Sequence, residues 1–151
     1  MDIEIKKAAL SDIDLIVKIE NECFSIPWSA GSVNEALSNP CSHFYIALLD
    51  GIPAGYIGLQ IFSGEGYITN VATLPEYRRR GVARALILRA MENEAEFITL
   101  EVRESNLPAI SLYSSLGFER VGMRPRFYRE PEENAILMTR KFRSLYEDTR
   151  N

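Results

Sequence analysis

Histidine, cysteine and tryptophan are scarce in this chain: one His43, two cysteines at Cys23 and Cys41, and one Trp28 among 151 residues. So few sulfur and imidazole ligands do not compose a zinc site of the usual Cys/His kind. The opening Met1-Asp2-Ile3-Glu4-Ile5-Lys6-Lys7 lacks the basic and then apolar run of an export signal, so the two cysteines read as reduced thiols. Neither they nor His43 has a partner at useful spacing. The cysteines are read as small core residues and His43 as a strand-edge residue. Long hydrophobic runs are missing too, none approaching the roughly 18 residues of a membrane helix. Positive charge is not in excess: 17 Lys+Arg against 21 Asp+Glu leave a net charge of −4. Such a surface repels phosphate backbones, which argues against nucleic acid as a partner. Repeats, low-complexity tracts and linkers are also absent, so residues 1–140 read as one domain followed by a polar tail over 141–151. The expectation is a cytoplasmic, metal-free globular protein.

What is present is a regular alternation of strand and helix signals. Ile3-Glu4-Ile5-Lys6 alternates apolar and polar, and Ser11-Asp12-Ile13-Asp14 supplies a hydroxyl cap with a carboxylate three residues on, predicting a helix from about Ser11. Its apolar spacing persists past Ile19 to Cys23 and Phe24 and ends by Pro27. Ser29 then caps a second helix that stops near Asn39-Pro40. The runs 44–49 and 52–59 flank Asp50-Gly51, the pair a type I′ hairpin demands, and 67–74 continues the antiparallel meander beyond a glycine turn. Val82, Leu86, Leu88 and Met91 predict a helix, and 97–102 a strand set parallel to the one around Val71 by a right-handed crossover. Pro108 opens a further helix closed by Gly117, and 118–123 and 135–138 read as the last two strands. The class is α/β with a mixed sheet.

Chemistry concentrates in Leu74-Pro75-Glu76-Tyr77-Arg78-Arg79-Arg80-Gly81-Val82-Ala83-Arg84, between a strand and a helix. Three consecutive cations at a helix start oppose the dipole, where acidic residues are favoured. A bound anion resolves this frustration: first-turn N–H groups and arginines cradle a pyrophosphate, and Gly81 and Ala83 allow close approach. A solvated basic loop is the plain alternative. The segment has neither the Lys-Ser/Thr pair of a P-loop nor the glycine order of a dinucleotide turn, so a different anionic cofactor is indicated.

Arg78-Arg79-Arg80-Gly81-Val82-Ala83 resembles the Q/R-x-x-G-x-G/A acetyl-CoA signature of the GNAT family of N-acetyltransferases. Leu100-Glu101-Val102-Arg103-Glu104-Ser105-Asn106 and the Ala109 to Phe118 run resemble that family's N-terminal protein acetyltransferases. Cys23-Phe24 with Pro27-Trp28-Ser29 resembles the branch acting on the N-terminal alanine of a ribosomal protein. The resemblance implies an α/β fold with a mixed, mostly antiparallel sheet of about seven strands and about four helices. It further implies acetyl-CoA as cosubstrate, held by Val71 through its main chain, by Arg78, Arg79, Arg80, Gly81, Val82, Ala83 and Arg84 at the pyrophosphate, and by Asn106 at the pantetheine arm. Glu101 takes the role of general base and Tyr113 that of general acid, with no enzyme nucleophile. An α-amine with a reference pKa near 8 is already partly neutral at physiological pH, so a modest carboxylate suffices, and a phenol near 10 can protonate a thiolate.

Taken alone, Glu101 could be the outward residue of a half-buried strand and Tyr113 a core aromatic. The stretch Arg124 to Asn134 is long for a hairpin connection and mixes aromatic, basic and acidic residues. With the loop between the first two helices it is implied to wall a peptide channel, making Trp28, Tyr128 and Glu132 candidate substrate contacts; an exposed polar loop is the alternative. Two rival functions are a GNAT enzyme acting on a small-molecule amine and an acetyl-CoA-binding domain without catalysis. The joint presence of Glu101, Asn106 and Tyr113 argues against the second.

Overall fold

The computed structural model describes residues 2–142. Seven strands and four helices follow one another: β1 Ile3–Lys7, α1 Ile13–Cys23, α2 Ala30–Ser38, β2 Ser42–Leu49, β3 Ile52–Phe62, β4 Glu65–Thr73, α3 Val82–Ala90, β5 Phe97–Arg103, α4 Leu107–Ser115, β6 Glu119–Tyr128 and β7 Glu133–Lys141. Their hydrogen-bonded order is β1-β2-β3-β4-β5-β7-β6. This is the expected mixed α/β architecture. The described residues fall into two compact units, the first taking 2–60 and Thr69–Asn93, the second Ile61–Ile68 and 94–142. No helix among the described residues is long and apolar enough to cross a membrane.

In the first unit, β2 is buried on both faces, which is why it reads as a continuous apolar run rather than an alternation. Phe44 and Ile46 face a core with Ile16 and Ile19 of α1, Val33 and Ala36 of α2, Tyr56, Ala72 and Leu74. Tyr45 turns the other way, beneath the Arg89 guanidinium 4.6 Å from its ring. Ser29 caps α2 as expected, its hydroxyl accepting from Ser32 N at 3.1 Å. Asp50 and Gly51, with φ of 50° and 81°, make the I′-type turn between β2 and β3.

One boundary and one helix face differ. A single 3-10 turn over Leu10–Asp12 precedes α1, and Asp12 rather than Ser11 closes it, its carboxylate accepting from Ala9 N at 2.8 Å. In α3, Ile87 and Ala90 are buried alongside Val82 and Leu86, whereas Leu88 is exposed.

The second unit is built on β5, whose Ile98, Leu100 and Val102 are buried on one face, with Ile136 and Met138 of β7 opposite Val102 and Leu100 on that same face; Tyr113, Leu116 and Phe118 are buried as well, and Ala135, opposite Arg103, is buried on the other face. The opposite face of β5 carries Thr99, Glu101 and Arg103, half-buried. β4 and β5 are parallel as expected, with the register running Glu65↔Phe97 to Tyr67↔Thr99 rather than around Val71 and Glu101. Gly117, at φ 91°, follows α4. The strands β6 and β7 are longer than the sequence indicates: they extend to Tyr128 and from Glu133, so the connection shrinks to residues 129–132. β6 is an almost wholly exposed edge strand with its register shifted between Arg124 and Tyr128. Such a strand lacks the buried face that makes alternation legible. Lys141 closes β7, so the strand runs into the expected tail, and residues 143–151 of that tail lie outside the described residues.

Candidate active site

The first unit contributes the candidate anion-binding turn. Gly81 stands at the start of α3 with φ 84°, and Arg79 two residues before it has φ 64°, so the loop winds through left-handed positions before the helix begins. Glycine meets this conformation without steric cost. The first intrahelical bond is donated by Ala85 N to Gly81 O at 3.0 Å, which leaves the preceding N–H groups at the positive end of the helix dipole. Arg79, Arg80 and Arg84 are exposed there. Arg78 is committed differently: its Nε donates to Thr73 O at 3.0 Å, bracing the loop against the end of β4. Val82 is buried and offers only its main chain, while Ala83 and Val71 are half-buried.

The same unit holds a buried carboxylate that no sequence pattern marks as special. Glu20, on α1 and 1% exposed, accepts from Trp28 N at 2.8 Å through Oε1. Its Oε2 accepts from the Tyr56 hydroxyl at 2.6 Å and from Asn70 Nδ2 at 3.2 Å. Burial and the adjacent Glu20 charge push the Tyr56 phenol well above its usual value, so it remains a donor. The half-buried Trp28 packs against the core that includes Ile16 and Phe44.

The second unit holds the candidate base. The Glu101 side chain is 6% exposed; Oε1 accepts from the Tyr67 hydroxyl at 2.6 Å and lies 3.7 Å from Arg124 Nε. Oε2 is buried without a hydrogen-bond partner among the described residues. One oxygen is thus fixed, and the other is a buried acceptor that is costly to leave without a donor. Burial and the Glu101 hydrogen bond raise the Tyr67 phenol far above its usual value. Tyr67 was not singled out from sequence, and neither was Arg124.

Tyr113 lies on α4, buried, its ring 6.1 Å from that of Phe118, and its hydroxyl makes no hydrogen bond among the described residues. Burial pushes its phenol up to about 12. Tyr128 is also pushed up to about 12, by burial first and then by the Glu101 charge. Asn106 caps α4, its Oδ1 accepting from Ala109 N at 3.3 Å; only its amide N–H groups are then available to a ligand.

Arg103 organises the β6–β7 turn. Its Nη1 donates to Pro131 O at 2.9 Å and Glu133 Oε1 at 3.2 Å, its Nη2 to Arg129 O at 3.1 Å, and the guanidinium sits 4.5 Å over the Tyr128 ring. Glu133 also accepts from Ser105 N, which with Arg103 holds its carboxyl below the usual range. Glu132 is exposed, pairs with Arg126 at 3.4 Å and lines an open hollow of about 380 Å³ with Glu104, Arg126, Glu133 and Asn134. Its charge is therefore partly answered within the chain. Arg103→Met keeps the aliphatic stem but removes these bonds. It is expected to raise the KM of a peptide acceptor about tenfold, leaving that of acetyl-CoA within about twofold, as initial-rate measurements with each substrate varied would read.

Comparison with known proteins shows the family. Residues 13–118 match the acetyltransferase (GNAT) family. The chain is 37% identical to the putative [ribosomal protein bS18]-alanine N-acetyltransferase of Bacillus subtilis over 89% of its own length and 92% of the relative's. It is 34% identical to an N-alpha-acetyltransferase of Saccharolobus solfataricus, covering 92% of this chain and 93% of that one. Among solved structures, the ribosomal-protein-S18-alanine N-acetyltransferase from Escherichia coli superposes with a TM-score of 0.87 at 27% identity, over 95% of this chain and 96% of the other. The chain belongs to the GNAT acetyltransferase family.

Proposed function

We propose that this chain acts in the cytosol as an acetyl-CoA-dependent N-terminal protein acetyltransferase, transferring acetyl to the α-amine of an N-terminal alanine of a small-subunit ribosomal protein. The observation that carries the reading is Glu101, a buried carboxylate with one oxygen anchored and the other awaiting a donor. The ribosomal-protein activity named for the Bacillus subtilis and Escherichia coli relatives supports the choice of acceptor.

Acetyl-CoA supplies an activated acetyl thioester and a pyrophosphate. The N–H groups of Gly81, Val82, Ala83 and Arg84 and the side chains of Arg79, Arg80 and Arg84 suit the pyrophosphate; Arg78 shapes the loop, and the Val71 main chain and the Asn106 amide serve the pantetheine arm. Glu101 takes the proton released as the α-amine becomes an amide, and Tyr113 gives one to the departing thiolate. Trp28 of the first unit and Tyr128 and Glu132 of the second are the side chains taken to contact the acceptor peptide. Replacing Arg79 and Arg80 together by Ala is expected to raise the KM for acetyl-CoA at least tenfold, with the peptide KM little changed; equal KM values would remove the loop from cosubstrate binding.

The deciding experiment measures release of CoA thiol from acetyl-CoA with peptides beginning in Ala, the same peptides N-terminally blocked, a lysine side-chain acceptor and polyamines. Turnover confined to the free Ala-starting peptides is the expected result. Turnover with polyamines alone would overturn the acceptor assignment.

A further inference from the structure

Four buried side-chain polar atoms lack a hydrogen-bond partner among the described residues: Thr69 Oγ1, Asn70 Oδ1, Glu101 Oε2 and Arg140 Nε. Glu101 is accounted for by the proposed chemistry. Asn70 differs from the rest because its orientation is dictated. The carboxylate of Glu20 can only accept, so the amide group of Asn70 must turn its Nδ2 toward Glu20 Oε2, 3.2 Å away, and its Oδ1 outward from that bond. Rotating the amide would set two acceptors against each other. Tyr56 reinforces the lock by occupying the same Glu20 oxygen as a donor at 2.6 Å. An acceptor has thus been aimed and left unpaired.

Two observations indicate which ligand it meets. Consecutive strand residues point to opposite faces, so Asn70 faces α1 while the Val71 side chain points away from it. The carboxylate that fixes Asn70 also holds Trp28 N at 2.8 Å, in the segment between α1 and α2 assigned to the acceptor peptide. Because the α-amine must surrender its proton to a base, a neutral amide oxygen is better matched to the next donor along the peptide, the N–H of its first peptide bond. A polyamine or other small amine has no such group.

We propose, building on the function above, that Glu20 and Asn70 form an acceptor-reading pair: Glu20 is a positioning residue, and Asn70 Oδ1 accepts the first peptide-bond N–H of the substrate. This pair would let the enzyme distinguish a protein N-terminus from a free amine.

A double cycle tests it, pairing wild type and Asn70→Ala with an Ala-starting peptide and with its analogue bearing an ester in place of the first amide. Wild type is expected to lose about tenfold in kcat/KM on the ester; Asn70→Ala is expected to lose about tenfold on the amide and nothing further on the ester. Glu20→Gln is expected to raise the peptide KM, leave the acetyl-CoA KM unchanged, and narrow the difference between amide and ester. Should Asn70→Ala fail to fold, Asn70→Ser takes its place in the cycle. Independent, multiplicative losses would overturn the pair, leaving an internal water as the partner of Asn70. A wild-type enzyme that acetylates no peptide would overturn the proposed function as well.

Discussion

Glu101→Gln is expected to lower kcat about 100-fold or more, with the KM for acetyl-CoA within about twofold of wild type. Glutamine matches glutamate in shape, and its amide oxygen can still receive the Tyr67 hydroxyl that now lies 2.6 Å from Oε1. The other position becomes an NH2 group, placing a donor where Oε2 is now buried and unpaired. Two donors, amide and incoming amine, then confront each other, and no group remains to take the proton. The pH profile discriminates further. With the base present, the rate rises as the α-amine, with a reference pKa near 8, loses its proton. With glutamine the remaining activity depends on hydroxide or water and keeps climbing at higher pH. Kinetics unchanged across pH would return Glu101 to an ordinary strand residue. Tyr67→Phe offers an internal control, since it frees Oε1 without removing the base and should cost less than Glu101→Gln.

Local signals were the legible part of this protein. Ser29 before Ala30, the Asp50-Gly51 pair and Gly81 at the start of α3 each specify a backbone conformation through residues a few positions apart, and each sits where its chemistry requires. The proposed acid and base positions rest on motif resemblance, which works where β5 and α4 are nearly contiguous and keep Glu101, Arg103 and Asn106 in fixed relation. Partners supplied from a distance were not legible. Tyr67 reaches Glu101 across 34 positions of sequence, and Glu20 gathers donors from residues 8, 36 and 50 positions away. On its own helix Glu20 is merely a charge beside Ile19; only burial reveals that it must be satisfied. The β6 extension failed for a different reason. Met123, Arg124, Arg126 and Phe127 are all exposed on an edge strand, so no hydrophobic period separates that strand from a loop. What reads as a long connection is instead a short turn over residues 129–132, pinned by Arg103.

Tyr113→Phe is expected to lower kcat by about 100-fold while leaving the melting temperature within a few degrees of wild type. The structure makes this substitution unusually clean. The ring packs against Phe118 at 6.1 Å and phenylalanine preserves that contact, while the hydroxyl forms no hydrogen bond among the described residues and so leaves no partner stranded. A core aromatic would therefore tolerate the change in both stability and rate. A general acid would not. Burial has pushed the phenol up to about 12, so it keeps its proton throughout the working pH range, and the same burial weakens it as a donor to a free thiolate. Its proton is then best delivered as the carbon–sulfur bond breaks, when basicity develops on sulfur within hydrogen-bond reach, rather than afterwards to a thiolate of lower basicity. A coupled transfer of this kind predicts a second result: thioesters with more acidic leaving thiols depend less on the hydroxyl, so the ratio of wild-type to Tyr113→Phe kcat should shrink as the leaving thiol pKa falls. A constant ratio across such a series would remove the hydroxyl as the proton donor to sulfur, and a kcat and melting temperature both unchanged in Tyr113→Phe would assign Tyr113 to packing.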